Sequence, residues 1–137
     1  MTRILHVLDH SLPLHSGYTF RTRAILRAQI AKGWEVRGIT GRRHVAEGPA
    51  EEMVDGLRFH RTPGEASGGN PLIREWRDIS AHADAIEALV RQWRPDVIHA
   101  HSPVLNALAA QKVAKRHGLP LIYEIRAFWE DAAVGNG

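Results

Sequence analysis

Apolar positions fall in short blocks, and the spacing within each block predicts its element. Residues 4–8 are apolar except for His6, as in a strand covered on both faces. A loop over 9–17 leads into a predicted helix over 18–31. There Ala24, Ile25, Ala28 and Ala31 recur at steps of three and four, and Gly33 stands where a stop belongs. Residues 34–40 alternate loosely and carry enough β-branched side chains for a second strand. The polar stretch 41–50 holds the breaker Gly48-Pro49. Within 53–61, Asp55-Gly56 predicts a turn between two short extended pieces, with Leu57 and Phe59 facing one way and Arg58 and His60 the other. Residues 64–71, rich in Gly and Ser, read as the least structured segment. The strongest helix signal spans 74–93, where Ile79, Ala83, Ile86, Val90 and Trp93 make one apolar stripe that ends at Arg94-Pro95. A third buried strand over 96–101 precedes a helix over 103–117, opened by Pro103 and closed by Gly118 and Pro120. A last strand covers 119–125, and the small residues of 131–137 read as a cut end.

This order predicts an α/β fold: a Rossmann-like, doubly wound, mostly parallel sheet with helices on both faces. Ligands of such sheets bind at the carboxyl ends of the strands. That places the interesting residues in 9–17, 41–43, 101–103 and 126–130.

Composition narrows the function. A chain of 137 residues makes one domain, and without cysteine it has neither disulfides nor a thiolate zinc site. With 44% hydrophobic and 24% charged residues it reads as soluble and folded. No apolar run is long enough to span a membrane, and His6 and Asp9 break the N-terminal pattern a secretory signal needs, so a cytoplasmic address is expected. The net charge of +3 comes without a single basic face, which argues against nucleic acid. Arg21, Arg23 and Arg27, then Arg42 and Arg43, are the densest basic spots. They fit a solvated surface or a patch for anionic substrate or lipid headgroups.

Several chemistries can be weighed at the strand ends. Ser16-Gly17 precedes a helix whose amides and dipole would suit a phosphate, and Gly17 lets a ligand come close to the backbone. The GxGxxG fingerprint and the P-loop are both absent. His99 and His101 share one strand face, and His6 could join them around a metal. No carboxylate cluster completes that set, however, and none elsewhere would hold a divalent ion tightly, so no metal is assigned. His101, at the ligand-facing end, is the stronger functional candidate of the two. Arg126 could clamp a phosphate or carboxylate; Glu130 and Asp131 could act as acid and base or pair with it; Phe128 and Trp129 could stack on a sugar or cover the core edge. Asp9 is followed by His10 and not by a second acid, so it is no phosphoacceptor pair. Ser11 and Ser102 lack a nucleophile elbow.

The segments RILHVLDHSLPLHSGYTFRTRAIL, GWEVRGIT, RPDVIHAHSP and LPLIYEIRAFWEDAA, in this order, resemble the N-terminal domain of a family 4, GT-B-type retaining glycosyltransferase over essentially the whole chain. The nearest likeness is to bacterial enzymes of exosortase-associated exopolysaccharide loci. The resemblance implies two Rossmann-like domains facing across a cleft, with the donor held mainly by a C-terminal domain that this chain lacks. It implies that Ser16 and Gly17 meet the donor diphosphate. It also implies that Arg126 and His101 are catalytic, and that Asp9, His10, Ser102, Trp129 and Glu130 line the acceptor cleft. Arg126 departs from many relatives, which have histidine there. The implied partners are a nucleotide sugar and a saccharide or lipid-linked acceptor, with no metal or other cofactor. Tyr18, Phe20, Arg21, Arg23 and Arg27 would give peripheral contact with the inner membrane. Without its other half the chain is expected to be inactive and to self-associate through an uncovered edge. A nucleotide-sugar epimerase half and a non-catalytic anion-binding module are the alternatives.

Overall fold

A computed structural model describes residues 2–14, 16–42, 44, 48–64 and 70–125. In chain order these form β1 (Arg3–Leu8), α1 (Gly17–Ala31), β2 (Glu35–Thr40), β3 (Glu51–Val54), β4 (Leu57–Arg61), α2 (Pro71–Trp93), β5 (Val97–His101), α3 (Val104–His117) and β6 (Leu121–Glu124). One sheet runs β3-β4-β2-β1-β5-β6. All neighbouring pairs are parallel except the edge pair β3–β4. The fold is the expected Rossmann-like, doubly wound, mostly parallel α/β sheet with helices on both faces.

β1 is the centre, paired with β2 on one side and β5 on the other, and its residues from Ile4 to Leu8 are all buried. That is why its pattern is continuous and not alternating. On one face Leu5, Val7, Ile39 and Ile98 pack under α2 and α3, whose small Ala109 and Ala110 let the last helix lie close. On the other face Leu8, Leu57 and Phe59 meet Leu26 of α1. Gly38 of β2 makes room for that packing, since a Cβ there would stand 2.8 Å from Phe59 Cδ1. The predicted turn forms with both central residues left-handed, Asp55 at φ 56 and Gly56 at φ 78, as a tight hairpin requires.

The buried face of α1 differs from the expected one. Ala24, Ala28 and Ala31 are exposed, while Thr19, Thr22 and Leu26 point inward. Threonine can be buried here because its hydroxyl is satisfied locally: Thr22 donates to the Tyr18 carbonyl at 2.9 Å, and Thr19 belongs to the helix cap. α2 also starts earlier than predicted, at Pro71, with the Asn70 side chain accepting from the Leu72 amide. The rest of the Gly/Ser-rich stretch, 65–69, and the tail 131–137 lie outside the described residues.

Candidate functional site

Strand order reverses between β1 and β5, so the connections leave the sheet in opposite directions and open a crevice at their carboxyl ends. Tyr18 crosses this point. Its hydroxyl accepts from the Asp9 amide at 3.1 Å and donates to the Ser102 carbonyl at 2.9 Å. The ends of β1 and β5 are thereby tied together by the first turn of α1.

The loop after β1 is ordered by two sets of bonds. On its outer side the His10 ring lies between Asp9 Oδ2 at 2.9 Å and Ser16 Oγ at 3.0 Å, stacked on Tyr18. Ser16 Oγ also accepts from the Thr19 amide, and Thr19 Oγ1 accepts from the Ser16 amide, a reciprocal cap. The cap occupies the Ser16 hydroxyl and leaves the next amide, that of Gly17, at the open end. No acceptor among the described residues takes the Gly17 N–H, and a Cβ on Gly17 would meet nothing within 4 Å. On the inner side Arg61 reaches under the loop from β4. It donates to Ser11 Oγ at 2.6 Å, the Leu12 carbonyl at 2.7 Å, Thr40 Oγ1 at 3.2 Å and Glu52 Oε1 at 2.6 Å. His44 accepts from the Ser11 amide through Nδ1 at 3.3 Å, and burial, helped by Arg61, pushes its imidazole down to about 4.

His6, His99 and His101 do gather, with ligand atoms within 4.8 Å of one another. Their arrangement is a hydrogen-bonded chain. Gln29 Oε1 accepts from His6 Nε2 at 2.7 Å, so a neutral His6 accepts through Nδ1 from His101 Nε2 at 2.8 Å. Glu124 on β6 stands 3.5 Å from both His99 and His101 and supplies the carboxylate that spacing along the chain did not place here. The His99 and His101 rings are stacked 7° from parallel, so their in-plane lone pairs do not converge on one point. The 2.8 Å contact is also shorter than the separation of about 3.3 Å between two ligands of a tetrahedral metal. His101, expected at the crevice, is wholly buried in this chain.

On the opposite face of the crevice a narrow pocket is lined by Asp9, Gly41, Arg42, Asp78, Ile79, His82, Leu105 and Asn106. Sequence position pointed to Asp9, Gly41 and Arg42 but missed the residues from α2 and α3. A helix of 23 residues is about 34 Å long, against roughly 17–20 Å for the strands, so α2 overhangs the strands' carboxyl ends. The overhang leaves Trp76 66% exposed and brings Asp78 and His82 level with the crevice. The length of the helical pattern was the signal that could have found them.

Of the expected site residues, the structure brings Asp9, His10, Ser16, Gly17 and Ser102 to one end of the sheet. Arg126, Trp129 and Glu130 lie outside the described residues. Of the residues expected to touch a membrane, Arg23 and Arg27 pair with Asp55 of the β3–β4 turn, at 3.3 and 2.7 Å, and Tyr18 is the internal bridge described above.

Residues 16–136 match the family model described as a glycosyl transferase 4-like domain. A UDP-N-acetylglucosamine–N-acetylmuramyl-(pentapeptide) pyrophosphoryl-undecaprenol N-acetylglucosamine transferase from Maricaulis maris (strain MCS10) is 30% identical over 101 residues, covering 70% of this chain and 27% of that protein. Sucrose-phosphate synthase from Thermosynechococcus elongatus superposes with a TM-score of 0.69 at 14% identity, over 93% of this chain and 33% of that one. The catalytic domain of starch synthase IV from Arabidopsis thaliana, bound to ADP and acarbose, gives 0.67 at 17% identity, over 90% and 34%. The chain thus spans about a third or less of each of these relatives, and the structural likenesses establish the fold.

Proposed function

The chain belongs to the glycosyl transferase 4-like family, and from that premise we propose that it is the acceptor-side domain of a retaining GT-B enzyme moving a sugar from a nucleotide-sugar donor to a saccharide or lipid-linked acceptor. The observation that carries this reading is the family match over residues 16–136. The geometry supports it: the Gly17 amide opens on the crevice at the positive end of α1, where a departing diphosphate would gain most. Ser16 acts there as the cap that holds this amide in place. Arg126, Trp129 and Glu130 keep the roles the resemblance implies, catalysis for the first and acceptor binding for the other two, and His101 acts from within the sheet through its contacts to His6 and Glu124. The charge of the leaving group is met by amides and Arg126, and no metal is assigned. A donor-binding second domain completes the enzyme, and this chain by itself turns nothing over. The Maricaulis maris relative is named for a pyrophosphoryl-undecaprenol-linked acceptor, which favours the lipid-linked alternative and a peripheral place at the inner membrane. No helix of the described residues is long and apolar enough to cross a membrane. Exopolysaccharide synthesis of the exosortase-associated type, in the cytoplasm, is the finer placement.

Supplying the donor-binding domain and labelled nucleotide sugars should give a labelled glycoside with retained anomeric configuration. An epimerised nucleotide sugar would instead favour the epimerase half, and anion binding with neither product a non-catalytic module. Gly17→Val tests the loop directly. The site has space for the side chain, so the fold survives, but the added bulk stands where the diphosphate would lie. Affinity for a nucleoside diphosphate should fall at least about tenfold. Unchanged affinity would remove the loop from the donor site.

A further inference from the structure

We infer that a cavity at the amino end of the sheet is a binding site for a small organic phosphate, with Arg37 and Arg58 gripping the phosphate group. The site lies the length of β1 away from the crevice and stands apart from the sugar-transfer reading.

Strand register brings the two arginines together. Gly38 of β2 pairs with Phe59 of β4, and Phe59 packs on the α1 face. The residues just before them, Arg37 and Arg58, therefore stand side by side on the other face. Like charges on neighbouring strands destabilise a sheet unless something of opposite sign lies between them. The nearby acids do not fill that place. Glu35 bonds Arg3 at 2.8 Å, and Glu51 lies 3.5 Å from Arg58. Arg37 makes no hydrogen bond or ion pair with any described residue, so it is the surplus cation of the group.

Arg37 is nevertheless held in place. Its guanidinium carbon lies 4.8 Å from the centre of the Trp93 ring and that of Arg3 5.6 Å, so the indole closing α2 seats both. Burial, then repulsion from Arg58 and Arg3, holds Arg37 below the ordinary arginine range, against the pull of Glu51 and Glu35. It stays charged at neutral pH all the same. Its nitrogens are not sealed from solvent, and the side chain lines the cavity. A seated cation repelled by its neighbours favours an anion, and planar forks of N–H donors suit phosphate oxygens. The cavity measures about 430 Å³, more than a bare phosphate needs, and Trp34, Val36 and Met53 offer an organic body an apolar wall.

Nitrogen-15 spectra of the labelled 137-residue chain test this. Phenyl phosphate should move the Arg37 Nε signal and the indole signals of Trp34 and Trp93. Inorganic phosphate should move Arg37 and bind more weakly, because it lacks the ring; acetate at the same ionic strength should move neither. Arg37→Gln should bind phenyl phosphate at least about tenfold more weakly, and Arg37→Lys, which keeps the charge without the fork, should lie between. Phenyl phosphate should also raise the melting temperature of the parent chain and leave that of Arg37→Gln where it is. Arg58→Gln, at a more exposed position, repeats the test should Arg37→Gln fail to fold. The inference is overturned if no signal moves, if acetate acts as strongly, or if the folded Gln variants bind unchanged. Equal affinity for the two phosphates would overturn the organic body. Gly17→Val, at the other end of the sheet, should respond as the parent does; a response lost there would move the phosphate to the crevice and overturn this site.

Discussion

His82 and Arg61 show how a buried polar side chain acquires its meaning from neighbours. The neutral His82 imidazole makes stability depend on pH. Its folded value of about 4 lies below the 6.5 of an unfolded histidine, so between those values the unfolded chain binds a proton that the folded chain does not. Stability is therefore full above about pH 6.5 and lost as pH falls, by up to roughly 1.4 kcal/mol per pH unit. His44, depressed in the same direction but only half-buried, adds to the trend. Urea midpoints between pH 7 and 5 should fall in the parent chain and fall less in His82→Phe; equal slopes would place the proton uptake elsewhere. Arg61 is a different case, a guanidinium whose donors serve the loop after β1 as well as Glu52. Arg61→Met should cost about 3–5 kcal/mol, because it strands Glu52 and two loop acceptors together. Chemical denaturation reads the loss, and faster amide exchange at Ser11 and Leu12 would trace it to the loop. Neither role is visible in the sequence, where His82 is one polar residue of a predicted helix and Arg61 one of many arginines.

At the scale of elements, local pattern predicted well wherever the element's own residues decide its shape. The Asp55-Gly56 turn, the Gly118 stop and the stripe of α2 all formed as their spacing implied. The face of α1 did not. Alanines recur there at helical steps, yet the sheet receives Thr19, Thr22 and Leu26, since the choice was made by which side chains fit over β2 and β4. Gly38 carries the same lesson in the strands. Alone it reads as a weak point in β2, but across the pair it is the space that Phe59 fills. Gly38→Ala should destabilise by about 1–3 kcal/mol through overpacking, and thermal melting measures it. A change near zero would mean that Phe59 can shift aside without cost.

For the whole molecule, the sheet of the described residues has β6 at one edge, where Ile122 is 53% exposed. An apolar edge of this kind invites another strand, so the chain should be dimeric by light scattering, and Ile122→Lys should shift it towards monomer. A monomer at all concentrations would show that the edge is protected. The sequence by itself determined the alternation of strands and helices and the mostly parallel sheet they build, because these follow from periodicity, turn chemistry and chain direction, all local or nearly so. Only the tertiary structure decided which polar atoms meet there. The approach of Glu124 to His99 and His101, the grip of Arg61 on a loop fifty residues earlier and the place of His82 beside Asp9 in one pocket depend on register and helix overhang. Hydrogen bonds and burial act through space, and separation along the chain carries no trace of them.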